Sequence, residues 1–248
     1  MDIENVIANI SQEIVRRLEG NKVNPDISLK YPGQDVAGAI EHSIMQPDTK
    51  ESQVIEACKE AIEYRFANVC VLPYFASLAS DLLKGSGILV CTVVAFPHGA
   101  IPIEVKLFEA EYAIDHGAQE IDVGVNISAI KSGKLKEVSR DLEKIVLMSK
   151  GKTKIKAIYE QGLYNTEEKI DVLNIIRESG ADFVKIQNFI SGGKAVSEDV
   201  LFVRSIVGER MGIKIDGGVS DAETLRGLLA SGANRVGCSK SVKIVRGY

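Results

Sequence analysis

The sequence predicts one closed (β/α)8 barrel of the TIM-barrel class, and three observations carry that expectation. Short β-branched runs alternate with longer amphipathic segments, as βα units around a parallel sheet require. Eight such runs can be placed, the number that closes a barrel in roughly 200 to 250 residues. The strings "HGAQEIDV", "SGADFVKI" and "SGANRVGC" repeat one local design, a Gly-Ala helix exit followed at once by a strand. An open doubly wound sheet usually has fewer strands and a Gly-rich first turn, and no such turn is found.

Taken in order, the segment Asp2 to Leu18 is apolar at Ile3, Val6, Ile7, Ile10, Ile14 and Val15. That spacing predicts an additional N-terminal helix over 1–20, placed to close the barrel's bottom. Strands are expected at Ala37–Ser43, Asn68–Leu72, Leu89–Ala95, Glu120–Asn126, Lys154–Glu160, Phe183–Gln187, Gly212–Asp216 and Arg235–Cys238. Between them, polar starts and glycine stops mark helices from Thr49 to Arg65, Glu104 to Gly117, Thr166 to Gly180 and Ser220 to Gly232. The barrel proper is read over 37–241 of a single 1–248 domain, since no Pro/Gly/Ser-rich linker or charge block divides the chain.

Composition narrows the function classes. A chain of 248 residues that is 45% hydrophobic can bury a sizeable core. Its net charge of −4, with acids and bases interspersed, gives no nucleic-acid footprint and no anionic-membrane patch. Small-molecule substrates are the expected partners. The start "MDIENVIANI" lacks a basic segment and an apolar core, and no apolar stretch approaches the roughly 18 residues of a spanning helix. A cytoplasmic location is the default. Cys58, Cys70, Cys91 and Cys238 show no CxxC spacing, so neither a zinc site nor a disulfide framework is indicated, and no cofactor is called for.

Alternation along each strand says which residues face the barrel axis. In "EIDVGVN", Ile121, Val123 and Val125 form the outward apolar set, leaving Asp122, Gly124 and Asn126 inside. The same parity sends Lys156, Ile158 and Glu160 inward, then Phe183, Lys185 and Gln187, then Lys214 and Asp216. Glu41 and Ser43 follow if His42 faces the helices. The expected interior holds Glu41, Asp122, Glu160 and Asp216 against Lys156, Lys185 and Lys214, where a merely structural barrel carries Val, Ile and Leu.

A lone buried lysine is most simply an ion-paired core residue. Here a second, Lys214, occupies the equivalent place on the next strand, roughly 4.8 Å away. Repulsion and desolvation both favour loss of a proton, so one lysine is expected to be a neutral amine nucleophile that attacks a carbonyl, with Asp122 shuttling protons.

The pieces "EHSIMQPDTK", "NVCVLPY", "TVVAFPHGA", "EIDVGVNISAIKSG", "GADFVKI", "GIKIDGGV" and "RVGCSKS" stand in an order and spacing that resembles the deoxyribose-phosphate aldolase family, from about Gly38 to Ser241. That family consists of (β/α)8 class I aldolases. The resemblance implies that Lys185 is the Schiff-base lysine, that Lys214 perturbs it, that Asp122 relays protons, and that no metal is needed. It further implies cleavage of 2-deoxyribose 5-phosphate to glyceraldehyde 3-phosphate and acetaldehyde, or of a related sugar.

The chain also departs from the family pattern. Ile186, Gln187, Asn188 and Phe189 replace the usual small hydroxyl-rich run after the Schiff-base lysine, and Asp216 stands where Ser commonly precedes the Gly-Gly pair. Gln161 replaces a usual Thr, and Glu41 and Ser43 replace Asp and Thr. A phosphate beside Asp216 would be repelled unless a cation intervenes. Backbone amides can still bind an anion at Gly192-Gly193, at Gly217-Gly218, and from Gly237 through Ser239 to Lys240, although the same glycines also suit tight turns. Lys194 and Lys240 are candidates to offset Asp216, and Cys70 is expected inward near the carbonyl chemistry. His98 reads as a loop-capping group and Tyr248 as the end of a fraying tail.

Three readings follow. The first is a class I aldolase on a small sugar or sugar phosphate, either the family's own or a different one. The second is a Schiff-base isomerase, dehydratase or transaldolase-like enzyme. The third is a non-catalytic barrel that retains the charges as structure. Pairing through outer helices into a homo-oligomer is open to any of them.

Overall fold

A computed structural model describes residues 33–247, in which eight strands close into a parallel barrel in chain order, β8 pairing back to β1. The strands are β1 (Ile40–Ile44), β2 (Asn68–Val71), β3 (Leu89–Val94), β4 (Glu120–Gly124), β5 (Lys154–Glu160), β6 (Phe183–Gln187), β7 (Gly212–Asp216) and β8 (Arg235–Cys238). The helices of the described residues are α1 (Glu51–Tyr64), α2 (Ala76–Leu83), α3 (Ile103–Asp115), α4 (Ile127–Lys131), α5 (Leu135–Ser149), α6 (Thr166–Glu178), α7 (Ser197–Val207), α8 (Ala222–Ala230) and α9 (Ser241–Arg246). The expected (β/α)8 class is therefore observed. The N-terminal helix expected over 1–20 and the tail residue Tyr248 lie outside the described residues.

The repeated Gly-Ala exit has one mechanical explanation. Gly117, Gly180 and Gly232 end α3, α6 and α8 with φ of +88°, +80° and +109°, a reversal that a side chain would oppose. Ala118, Ala181 and Ala233 then bury, and the next amide in each case bonds to the preceding strand: Gln119 to Val90, Asp182 to Ile155 and Asn234 to Ile213. Helix starts are equally local. Asn165 accepts the Glu168 amide while Glu168 accepts the Asn165 amide, and Asp221 accepts the Thr224 amide.

Two strand boundaries differ from expectation by more than one residue. Residues 34–39 form a 3₁₀ turn, pinned to α8 by an Asp35–Arg226 ion pair of 2.8 Å, so β1 starts at Ile40. β4 stops at Gly124 because Asn126 turns out of the strand to cap α4, accepting the Ala129 amide at 3.0 Å.

Alternation then sorts the side chains. Ile121, Val123, Val184, Ile186, Ile213 and Ile215 are buried in the layer between strands and helices, and each contributes roughly 1.5–3 kcal/mol of burial. His42 also points outward: its Nε2 is 2.9 Å from Glu60 on α1 and its Nδ1 is 2.8 Å from Ser241 at the start of α9. Glu41 is thereby turned inward. Among the described residues no helix is long and apolar enough to cross a membrane.

Candidate active site

Parallel register places the charged interior. β6 and β7 set Lys185 beside Lys214, and β4 and β5 set Asp122 beside Lys156. All three lysines are buried, and each meets carboxylates rather than another ammonium. Lys156 Nζ lies 2.6 Å from Glu120, 3.2 Å from Asp122 and 3.2 Å from Glu41. Asn68 donates to Glu120 at 2.7 Å and closes that end of the network. Lys214 Nζ lies 2.5 Å from Glu41, 2.7 Å from Asp122 and 3.8 Å from Asp216. Lys185 Nζ lies 2.9 Å from Asp122 and 2.9 Å from Asp216.

This geometry corrects the expectation of a neutral Lys185. Burial pushes its ammonium down, but Asp122 and Asp216 outweigh both burial and repulsion from Lys214, so its pKa is raised. Lys156 and Lys214 are driven up in the same way, against the cost of burial, by the carboxylates around them. Burial opposes ionisation of Asp122, yet Lys156, Lys185 and Lys214 hold it well below the usual carboxylate range. The resting amine therefore carries a proton that must leave before it can attack a carbonyl.

Above Lys185, at the C-terminal ends of the strands, opens a cavity of about 210 Å³. Barrel active sites gather at this face. Lys185, alone of the three lysines, borders it, together with Ser43, Gln187, Asp216 and Gly217. The space is smaller than the roughly 300 Å³ at which drug-sized sites begin, and suits a small carbonyl compound.

Other expected site residues are placed elsewhere. Glu160 is buried one step aside, accepting from Gln187, the Ile190 and Ser191 amides and the Ser191 hydroxyl, so it organises the loop after β6. Cys70 donates to Met45 at 3.5 Å beneath the cavity. Gly237 leaves room for the Asp216 carboxylate: a Cβ there would stand 1.9 Å from Asp216 Oδ1. Gly218, Ser239 and Lys240 are exposed and lie outside the lining. Asn126 serves α4 and faces a separate groove of about 740 Å³ that no interior lysine reaches.

The sequence reading missed three features. Glu120, two residues before Asp122, shares its inward parity and completes the Lys156 cage. Phe96 and Phe189, with ring centroids 5.2 Å apart, form a cavity wall from two loops, and Phe96 lies 5.8 Å from Lys185 Nζ. Met45, Gln46 and Pro47 close the side after β1.

Two interior sets, Cys70–Cys91–Asp122 and Glu41–Cys91–Glu120, bring metal-ligand atoms within 4.8 Å of one another. Lys156 Nζ already stands 3.3 Å from Cys91 and 2.6 Å from Glu120, and burial pushes the Cys91 thiol well above its ordinary value. The donor set thus suits an ammonium better than a metal ion.

Comparison with known proteins decides the family. The model of the DeoC/LacD family aldolases matches residues 37–238, which span the whole barrel. The chain belongs to the DeoC/LacD aldolase family. A deoxyribose-phosphate aldolase of Clostridium tetani is 45% identical over 206 residues, covering 83% of this chain and 95% of that protein. Among solved structures, the aldolase QR15 superposes with a TM-score of 0.81 at 33% identity, over 86% of this chain and 95% of its own. The tetrameric deoxyribose phosphate aldolase of Aeropyrum pernix superposes with a TM-score of 0.81 at 26% identity, over 97% of both chains. As a DeoC/LacD aldolase the protein is a carbon–carbon lyase, and the alternative of an idle barrel falls away.

Proposed function

We propose that this aldolase works through an imine on Lys185, making or breaking a C–C bond in a small sugar or sugar phosphate. One observation carries the reading: among the interior lysines of the described residues, only Lys185 meets the cavity. Its ammonium passes a proton to a neighbouring carboxylate, Asp122 or Asp216, both 2.9 Å away. The free amine then attacks the donor carbonyl and the carbinolamine loses water to a protonated imine. In cleavage, the substrate hydroxyl gives up its proton, the C–C bond breaks, and the electrons settle in an enamine while the second fragment leaves as an aldehyde. Protonation at carbon and hydrolysis release the donor. Asp122, bonded to Lys156, Lys185 and Lys214, is the proposed relay, and Lys214 holds it ionised.

The reference reaction is cleavage of 2-deoxyribose 5-phosphate to glyceraldehyde 3-phosphate and acetaldehyde, supported by the name that the Clostridium tetani relative carries. The same proposal takes the enzyme to be cytoplasmic, in keeping with its four free cysteines. Self-association belongs to it too. Its support is the tetrameric Aeropyrum pernix relative and an exposed stripe of Val105, Phe108 and Tyr112 along α3.

Deuterium exchange tests the enamine without assuming an acceptor. Incubated with acetaldehyde in D2O, the enzyme should catalyse deuteration of the methyl group, and Lys185→Ala should not. Equal exchange in both proteins would remove Lys185 from the mechanism.

A further inference from the structure

We infer that Gln187 is a specificity-determining residue for the acceptor half of the substrate: its side-chain carbonyl accepts a hydrogen bond from a hydroxyl of the acceptor aldehyde, and Glu160 is the positioning residue that fixes this orientation. The inference rests on the Schiff-base reading of Lys185 and extends it to a substrate class, the hydroxyaldehydes, phosphorylated or not.

Gln187 follows Lys185 by two residues on β6, so both side chains face the barrel axis. A strand rises roughly 3.3 Å per residue, which sets Gln187 roughly 6–7 Å nearer the mouth than the nucleophile. Both residues line the same cavity. Donor carbons lie at the level of the imine, and the fragment joined or released at the C–C bond lies beyond them, toward Gln187.

The neighbouring strand dictates which end of the Gln187 amide the fragment meets. Glu160, the register partner of Gln187 on β5, is buried and takes donors on both oxygens. Its Oε1 accepts the Ile190 amide at 2.9 Å, the Ser191 amide at 3.1 Å and the Ser191 hydroxyl at 3.1 Å. Its Oε2 accepts Gln187 Nε2 at 3.0 Å. A carboxylate accepts and does not donate, so the Gln187 amide has one allowed sense, nitrogen on Glu160 and oxygen turned away. Among the described residues no group donates to that oxygen, and it keeps access to the cavity.

The other polar side chains of the lining are already engaged or free to swing. Asp216 is paired with Lys185 at 2.9 Å, and Ser43 donates to the Glu41 carbonyl at 3.3 Å. Asn188 accepts from the Ser191 hydroxyl at 3.4 Å and donates to the Lys194 carbonyl at 3.5 Å, while Gln46 is exposed. Gln187 is thus a fixed acceptor with an unused lone pair. A substrate without the matching hydroxyl would cover that oxygen and leave it unpaired, which is how a site selects for a hydroxyl.

With acetaldehyde as donor, the acceptors to compare are glyceraldehyde 3-phosphate and 3-phosphooxypropanal, which lacks only the hydroxyl beside the aldehyde. The wild-type ratio of kcat/KM should favour the hydroxylated acceptor by about tenfold or more. Gln187→Met keeps the bulk, removes the acceptor and should cut that ratio about fivefold or more. The intrinsic reactivities of the two aldehydes cancel when the ratio is compared between proteins. Glu160→Gln sets an amide donor against Gln187 Nε2, unfixes it and should cut the ratio about threefold or more. In the Gln187→Met background the same change should leave the ratio within about twofold, because its effect passes through Gln187. A wild-type ratio near one, or a ratio unmoved by Gln187→Met, overturns the role of Gln187, and equal effects of Glu160→Gln in both backgrounds overturn that of Glu160. Borohydride trapping of acetaldehyde on Lys185 should persist in every variant; its failure in the wild type would overturn the Schiff-base reading instead.

Discussion

The two ends of the charged interior contain the same residue types and do different things. At the lower end, Lys156 is enclosed by Glu41, Glu120, Asp122 and Cys91, with Asn68 behind Glu120 and no solvent path. At the upper end, Lys185 has only Asp122 and Asp216 and borders a cavity. Lys214 joins the two through Glu41 and Asp122. A buried lysine is therefore no sign of chemistry in itself. What separates a structural ammonium from a reactive one is the number of fixed partners it has and whether a carbonyl can reach it.

The sharpest break between the two regions is kinetic. Lys185→Ala should lower kcat for aldol cleavage by about 10⁴-fold or more, with the far-ultraviolet dichroism and denaturant midpoint little changed, because Asp122 keeps two other lysines. Lys156→Met should do the reverse. It strips the ammonium from three buried carboxylates, and breaking such a network costs about 3–5 kcal/mol, readable in a urea titration. If Lys156→Met proved as stable as the wild type, the lower cage would not be the structural element described here.

A smaller effect concerns pH. Because Asp122 and Asp216 raise the Lys185 pKa against the effect of burial, the fraction of free amine, and with it the rate of imine formation, grows as pH increases. Asp216→Asn removes one of the two carboxylates, so the rising limb of the pH–rate profile should move to lower pH by about one unit. A limb that stays in place would mean that Asp216 does not govern the amine. Smallest of all, Phe189→Ala should raise KM for an apolar acceptor about threefold to tenfold and leave kcat within about twofold, as expected for loss of part of an apolar contact.

Much of this was legible in the sequence, for a definite physical reason. Side chains alternate strictly along a barrel strand, so parity alone put Glu41, Asp122, Lys156, Lys185, Lys214 and Asp216 into one interior. Glu120, two residues before Asp122 on the same strand, carries the same parity signal. Parity failed at Asn126, where a cap outcompeted the strand. Helices α2, α4, α5, α7 and α9 were not expected, and a missing cap does not explain it, because α3 was expected and also begins without a capping side-chain hydrogen bond while α4 has one. The charge state of Lys185 failed differently. The sequence supplied both the neighbouring lysine and the carboxylates, but only distances say which dominates, and two contacts of 2.9 Å do. The Phe96–Phe189 wall is formed by loops distant in sequence, and no local pattern reports it.

The claim on which all else depends is that Lys185 forms the imine. Borohydride reduction in the presence of acetaldehyde, followed by peptide mass spectrometry, measures it directly. A two-carbon adduct is expected on the peptide holding Lys185 and none on those holding Lys156 or Lys214. An adduct on Lys214 would reverse the assignment of nucleophile and helper. No adduct with acetaldehyde or with any other carbonyl donor would contradict the Schiff-base mechanism altogether.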